Sequence, residues 1–278
     1  MNYKNINYWI FTVLLAVLSF LSGTYIQAQK VSNAPVDIAT LDTWVVGMEL
    51  KFPPFETIDP ATNQPKGVSV EIANELGRRL NKKIVIKSTE YPSLIPSLET
   101  KNIDLIISSM TITPERQKTI DFSEEYAKGQ LSFAYNKSFP YENYSSLNKD
   151  SVTIAVKKGT VGEQWVKQNL PNAKTKGFEG VGEAMLDVNN NSSQAFIYDP
   201  LSLLQAQSGL DNVTVDKSPL PNVNGWGVGL RKNNPVAVNQ INTELAKMKT
   251  DGFYDKLRNE YLKEEQAKYA QYGLEFYF

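Results

Sequence analysis

Residues 108–123, SSMTITPERQKTIDFS, carry the side chains best suited to chemistry in this chain. An apolar run (Ile103, Leu105, Ile106, Ile107) empties into small and hydroxyl-bearing residues, and Arg116 follows one turn later. Thr111 and nearby backbone N–H groups can donate neutral hydrogen bonds. A guanidinium adds a planar, two-pronged cation that matches a carboxylate fork. The chemistry that suits is capture of a carboxylate, and the loop between a strand end and a helix start is where α/β proteins tend to hold ligands. The plainer alternative is a strand–helix connection with a solvated arginine.

Missing residue types narrow the field further. The 278 residues include no histidine and no cysteine. Imidazole bases, Ser-His-Asp triads, His- or Cys-ligated metals, thiol nucleophiles, disulfides and lipid attachment through an N-terminal cysteine are therefore excluded. Hydrolysis built only from Asp, Glu, Lys, Ser and Tyr stays open. The 29 basic and 30 acidic residues nearly cancel, which predicts neither a nucleic-acid groove nor a polybasic membrane patch. No metal and no cofactor is expected.

The elements that must position Arg116 begin after a separate leader. Lys4 precedes an apolar run of 13 residues (9–21), and a polar stretch leads to Ala28. That layout predicts a cleavable signal peptide over 1–28, since a membrane span needs about 20 apolar residues. Export to a periplasm follows; an uncleaved anchor is the alternative. Beyond the leader, strand-like segments (43–48, 84–87, 103–107, 131–135, 152–156, 194–198, 226–230) alternate with helix-like ones (70–80, 94–100, one after 158–162 that runs through 170, 182–188, 201–207, 233–250, 252–262). Such alternation predicts α/β architecture with mainly parallel sheets flanked by helices. Residues 127–130 and 218–225 could carry the chain between two lobes. The expected division is a discontinuous first lobe, 37–127 with 224–278, and a second lobe, 131–218.

In this order and spacing, several motifs resemble the periplasmic solute-binding proteins for polar amino acids that serve ABC importers, in particular glutamine- and histidine-binding proteins. They are Phe52-Pro53-Pro54-Phe55-Glu56, Gly67-Val68-Ser69-Val70-Glu71, Leu94-Ile95-Pro96-Ser97-Leu98, the 108–123 block, Lys158-Gly159-Thr160, Tyr198-Asp199-Pro200 and Gly252-Phe253-Tyr254-Asp255-Lys256. The resemblance implies the type II periplasmic-binding-protein fold, two lobes joined by two hinge strands. It implies that Arg116 clamps a ligand carboxylate with Thr111 and Thr160. Asp199 and the Ser109 carbonyl would take the ammonium group, and Phe52 and Tyr91 would sandwich the side chain. Glu49, Lys157 and Tyr198 would read its far end. Each has a plainer alternative. Asp199 before Pro200 suits a helix N-cap, Lys158-Gly159-Thr160 a tight turn, Phe52 and Tyr91 an ordinary core, and Glu49 and Lys157 a solvated surface.

A zwitterion needs one fixed cation and one fixed anion, because burying either charge unpaired costs several kcal/mol. The implied function is capture of a free polar L-amino acid by a monomer, without catalysis, and delivery to a membrane ABC permease. A Glu49–Lys157 pair would suit an amide side chain, so glutamine comes first and arginine second. A cyclohexadienyl-dehydratase-like enzyme with Glu49 as its acid, or a ligand-sensing receptor component, is the alternative.

Overall fold

The protein is described by a computed structural model over residues 37–272 and 274–278. The expected signal peptide, 1–28, lies outside the described residues. Strand β1 (Thr43–Met48) buries Trp44, Val46 and Met48. Three short strands, β2 (Lys51–Phe52), β3 (Glu56–Ile58) and β4 (Pro65–Lys66), form a small antiparallel sheet. Helix α1 (Val68–Leu80) buries Val68, Ile72, Ala73 and Leu76 at helical spacing, and it stops at Asn81 in the left-handed conformation that Asn tolerates.

Next come β5 (Lys83–Ser88), α2 (Leu94–Glu99), β6 (Leu105–Ile106), α3 (Pro114–Thr119) and β7 (Ile120–Ala127). Thr113 caps α3 through its side chain, and Pro114 opens the helix where its missing N–H costs nothing. A second set follows: β8 (Ser132–Asn136), β9 (Thr153–Lys157), α4 (Val161–Asn169), β10 (Lys174–Phe178), α5 (Val181–Asn189), β11 (Ala195–Tyr198), α6 (Pro200–Ala206) and β12 (Val213–Val215). The chain ends through β13 (Trp226–Arg231), α7 (Pro235–Met248), α8 (Phe253–Tyr261) and α9 (Lys263–Tyr272).

Two five-stranded sheets result, ordered β5-β1-β6-β13-β7 and β10-β9-β11-β8-β12. They are mixed, which corrects the expectation of mainly parallel sheets. The pairs β1/β5, β1/β6, β9/β10 and β9/β11 are parallel. The pairs β13/β6, β13/β7, β8/β11 and β8/β12 are antiparallel. Helical crossovers explain the parallel pairs, as parallel neighbours require them. The antiparallel strands flank the two chain passages between the sheets. β7 leaves the first sheet and β13 returns against it, with Ala127 opposite Trp226. A first core packs Trp44, Ile72, Leu76 and Ile241 around the first sheet. Two further cores, around Phe133 and Ile154 and around Phe196 and Met185, cover the two faces of the second.

Candidate functional site

Between the two sheets lies a cleft of about 470 Å³ of empty space, part of it open to solvent. Strand ends and the turns after them build it. Glu49 follows β1, Phe52 ends β2, and Ser109 and Thr111 follow β6. Thr160 lies in the turn between β9 and α4, and Tyr198 and Asp199 stand at the junction of β11 and α6. Of the ten expected site residues, these and Tyr91 line the cleft directly. Arg116 and Lys157 stand just behind the wall, each nearly fully buried.

Apart from the bonds that residues 265–277 make to the Asp199 side, direct bonds from the first sheet's side to the second cross the cleft at two places. The Arg116 guanidinium donates to the Thr111 carbonyl (2.6 Å), to the Gly159 carbonyl on the far side (3.1 Å) and to the Tyr91 hydroxyl (3.4 Å). Gly159 can present that carbonyl because its φ is +73°, and a side chain there would also crowd Pro92. The second crossing is an ion pair of 2.5 Å between Lys157 Nζ and Glu49 Oε2, both side chains 3% exposed. Lys157 is further held over the rings of Tyr91 (5.8 Å) and Tyr198 (5.6 Å). Glu49 and Lys157 thus face each other rather than solvent.

Among the described residues, no carboxylate forms an ion pair with Arg116 and no cation forms one with Asp199. Asp199 is 5% exposed. Its Oδ1 accepts from the N–H groups of Leu201 (3.0 Å) and Ser202 (3.3 Å), so it does cap α6. Tyr277 Oη donates to both carboxylate oxygens as well. Burial pushes the Asp199 carboxyl up to about 7 against these donors. A cation without a carboxylate partner thus stands behind one wall of the cleft, and a carboxyl group without a cation lines the other.

The remaining expected residues divide. The Thr160 N–H and hydroxyl both go to the Lys157 carbonyl, at 3.3 and 2.7 Å, so neither is free to donate into the cleft. Ser109 sits at φ +50°, gives its N–H to the Tyr126 hydroxyl, and lines the cleft. Phe52 stacks on Phe55 at 5.0 Å and meets Tyr198 and Trp226 edge-on.

Glu56, Gln130 and Trp226 also line the cleft and were not foreseen. Glu56 accepts hydrogen bonds from the hydroxyls of Ser69 (2.6 Å), Ser108 (2.9 Å) and Ser109 (3.1 Å). Burial is the main force pushing its carboxyl up to about 7. The signal for it was the acidic residue closing the Phe52-Pro53-Pro54-Phe55 run. Gln130 Oε1 is buried and has no partner among the described residues, which leaves an acceptor for an N–H donor in the cleft.

Comparison with known proteins places the chain in a family. Residues 44–264 match the profile of the bacterial extracellular solute-binding proteins, family 3. The ABC transporter glutamine-binding protein of Bacillus subtilis is 27% identical over 264 residues, covering 93% of this chain and 96% of that protein. ABC transporter arginine-binding protein 1 of Escherichia coli is 27% identical over 220 residues, covering 77% and 88%. Among solved structures, an ancestral amino acid-binding protein described as a precursor of cyclohexadienyl dehydratase superposes with a TM-score of 0.71 at 32% identity, covering 81% of this chain and 97% of that one. An ancestral arginine-binding protein bound to arginine gives 0.71 at 27% identity, covering 79% and 98%.

Proposed function

The chain belongs to family 3 of the bacterial extracellular solute-binding proteins, and on that premise we propose that it captures a free polar L-amino acid and delivers it to an ABC importer. The observation that carries this reading is a pair of buried groups not paired with each other, Asp199 lining one side of the cleft and Arg116 directly behind the wall of the other. A ligand carrying both a carboxylate and an ammonium group removes both electrostatic penalties at once. Arg116 takes the carboxylate, with Thr111 beside it. Asp199 takes the ammonium, with the Ser109 carbonyl and Gln130 Oε1 as neutral acceptors.

Arg116 belongs with the first sheet and Asp199 with the second, so full contact requires the sheets to stay together over the ligand. Two lobes, 37–127 with 224–278 and 131–218, would close by that differential binding. Phe52 and Tyr91 flank the side chain, and Glu49, Lys157 and Tyr198 meet its far end. Because Glu49 and Lys157 neutralise each other, that end offers one acceptor and one donor without net charge. A neutral amide fits it, and glutamine is the first choice over arginine. The protein acts as an exported monomer in a periplasm, where an ABC permease receives its cargo.

Catalysis is not part of this reading. Glu49 is committed to Lys157, and both oxygens of Glu56 already accept serine hydroxyls. Incubation with prephenate or arogenate should give no turnover. A thermal-shift screen against the twenty amino acids tests binding directly: a true ligand at 100 times its Kd adds about 2.7 kcal/mol of stability. A flat response to all twenty would remove the proposal.

A further inference from the structure

Helix α9 and residues 274–278 join the first core to the Asp199 side of the cleft. Tyr269 and Tyr277 are buried in the first core, the Tyr277 ring lying 4.7 Å from Phe55 and 5.2 Å from Trp226. The Tyr277 carbonyl accepts from the backbone N–H of Lys128 at 2.8 Å. Glu275 takes the Lys128 ammonium on its side chain and the Gln130 amide on its carbonyl. The segment is thus fastened to the chain passage between the sheets.

On its other side it reaches Asp199. Tyr277 Oη lies 2.9 and 2.8 Å from the two Asp199 oxygens. Tyr269 Oη lies 2.6 Å from Tyr277 Oη, and the Leu201 N–H donates to Tyr269 Oη at 3.2 Å. Each phenol has one proton. With the Tyr277 proton on Asp199, the bond between the phenols must be donated by Tyr269. The donors then run one way, from Leu201 to Tyr269 to Tyr277 to Asp199, each presenting its positive end toward the carboxylate, and such chains strengthen one another.

We propose that Tyr277 is a positioning residue for ammonium capture, holding the Asp199 carboxylate ionised and oriented from outside the cleft. The proposal rests on the amino-acid reading of the cleft. Tyr198, Tyr269 and Tyr277 are the titratable groups around Asp199. Glu49 and Glu56 line the same cleft, with Lys157 and Arg116 behind its wall. Burial favours the protonated acid, and the Tyr277 hydroxyl opposes it.

The test is Tyr277→Phe, which keeps the ring and removes only the hydroxyl. Aspartate side-chain ¹³C NMR titration without amino acid follows Asp199, its resonance identified by its loss in Asp199→Asn. Calorimetry with L-glutamine and L-arginine between pH 5.5 and 8.5 follows affinity. The Asp199 midpoint should move upward, and affinity at pH 7 should fall roughly ten- to a hundredfold, as for a hydrogen bond to a charged group. The loss should shrink toward pH 8.5, where Asp199 ionises again. Tyr269→Phe should move both readouts in the same direction by less. An unmoved midpoint, or an affinity loss equal at every pH, would overturn the proposal while wild-type binding keeps the cleft reading. Wild-type protein that binds no amino acid would overturn both.

Discussion

Replacing Lys157 by methionine probes the cleft where its electrostatics are most exposed to arithmetic. At 2.5 Å, an effective dielectric of about 20 gives an attraction of about 7 kcal/mol. Desolvating the two ions costs several kcal/mol each, so the intact pair contributes little net stability. Lys157→Met removes the attraction and leaves the cost of burying Glu49, about 3–5 kcal/mol. On the proposed two-lobe closure that cost would apply only while the cleft is shut, because Glu49 belongs with the first sheet and Lys157 with the second. It should therefore fall on closure over the ligand rather than on folding. Affinity for L-glutamine by calorimetry should drop about a hundredfold or more, whereas the unfolding free energy from urea denaturation without ligand should change by less than about 1 kcal/mol. L-Arginine should suffer less, since its guanidinium can stand where Lys157 stood. Glu49→Gln combined with Lys157→Met should recover most of the glutamine affinity, because no lone charge remains. Additive losses in this cycle, or a larger loss for arginine than for glutamine, would refute the reasoning.

Arg116→Ala should abolish the thermal shift caused by the ligand. Arg116→Lys should restore only part of it, because a point charge cannot replace the fork that meets Gly159 and Thr111. Asp199→Asn should abolish binding yet stabilise the unliganded protein at pH 8 in urea denaturation, by at most about 4 kcal/mol, the worth of three pKa units. The folded carboxyl titrates at about 7 and the unfolded one near 4, so the folded state holds a proton the unfolded chain has lost. Stability must fall as pH rises between those values and level off above them, and the variant should flatten that slope. Gly159→Ala should cost about 1 kcal/mol by denaturation, since φ +73° is strained for any residue with a Cβ, and should weaken ligand binding through the displaced carbonyl.

Much of the architecture was legible because burial wrote a period into the chain. β1 occupies 43–48 as its apolar residues predict, and α1 starts two residues before the expected 70. β10 was missed because Lys174, Lys176 and their neighbours form an exposed edge with no apolar alternation. α9 was missed because Tyr269 is its only buried side chain. The site was legible as residue types and opaque as partners. Glu56 stands in a motif that was recognised, yet the hydroxyls that hold it come from 13, 52 and 53 residues away. Tyr277 reaches Asp199 across 78 residues. No local pattern encodes such pairings, which depend on two strand ends and the final segment converging.

Three buried carboxylates border one cleft, and their partners separate their tasks. Glu49 has a cation and so adds no net charge. Glu56 has serine hydroxyls from three segments. Ser69 lies in the first turn of α1, while Ser108 and Ser109 follow β6. Ser108 also accepts the Glu49 N–H at 2.9 Å, so Glu56 ties together the loops that shape the first sheet's rim. It stands on the same side as Arg116. A zwitterion held between those two groups would be gripped by one side alone, and nothing would couple capture to closure. Asp199 is the carboxylate on the opposite side, and only its use makes the ligand a bridge between the sheets. Burial is the main force that pushes its carboxyl up to about 7, and on the proposed reading a ligand ammonium would offset that burial.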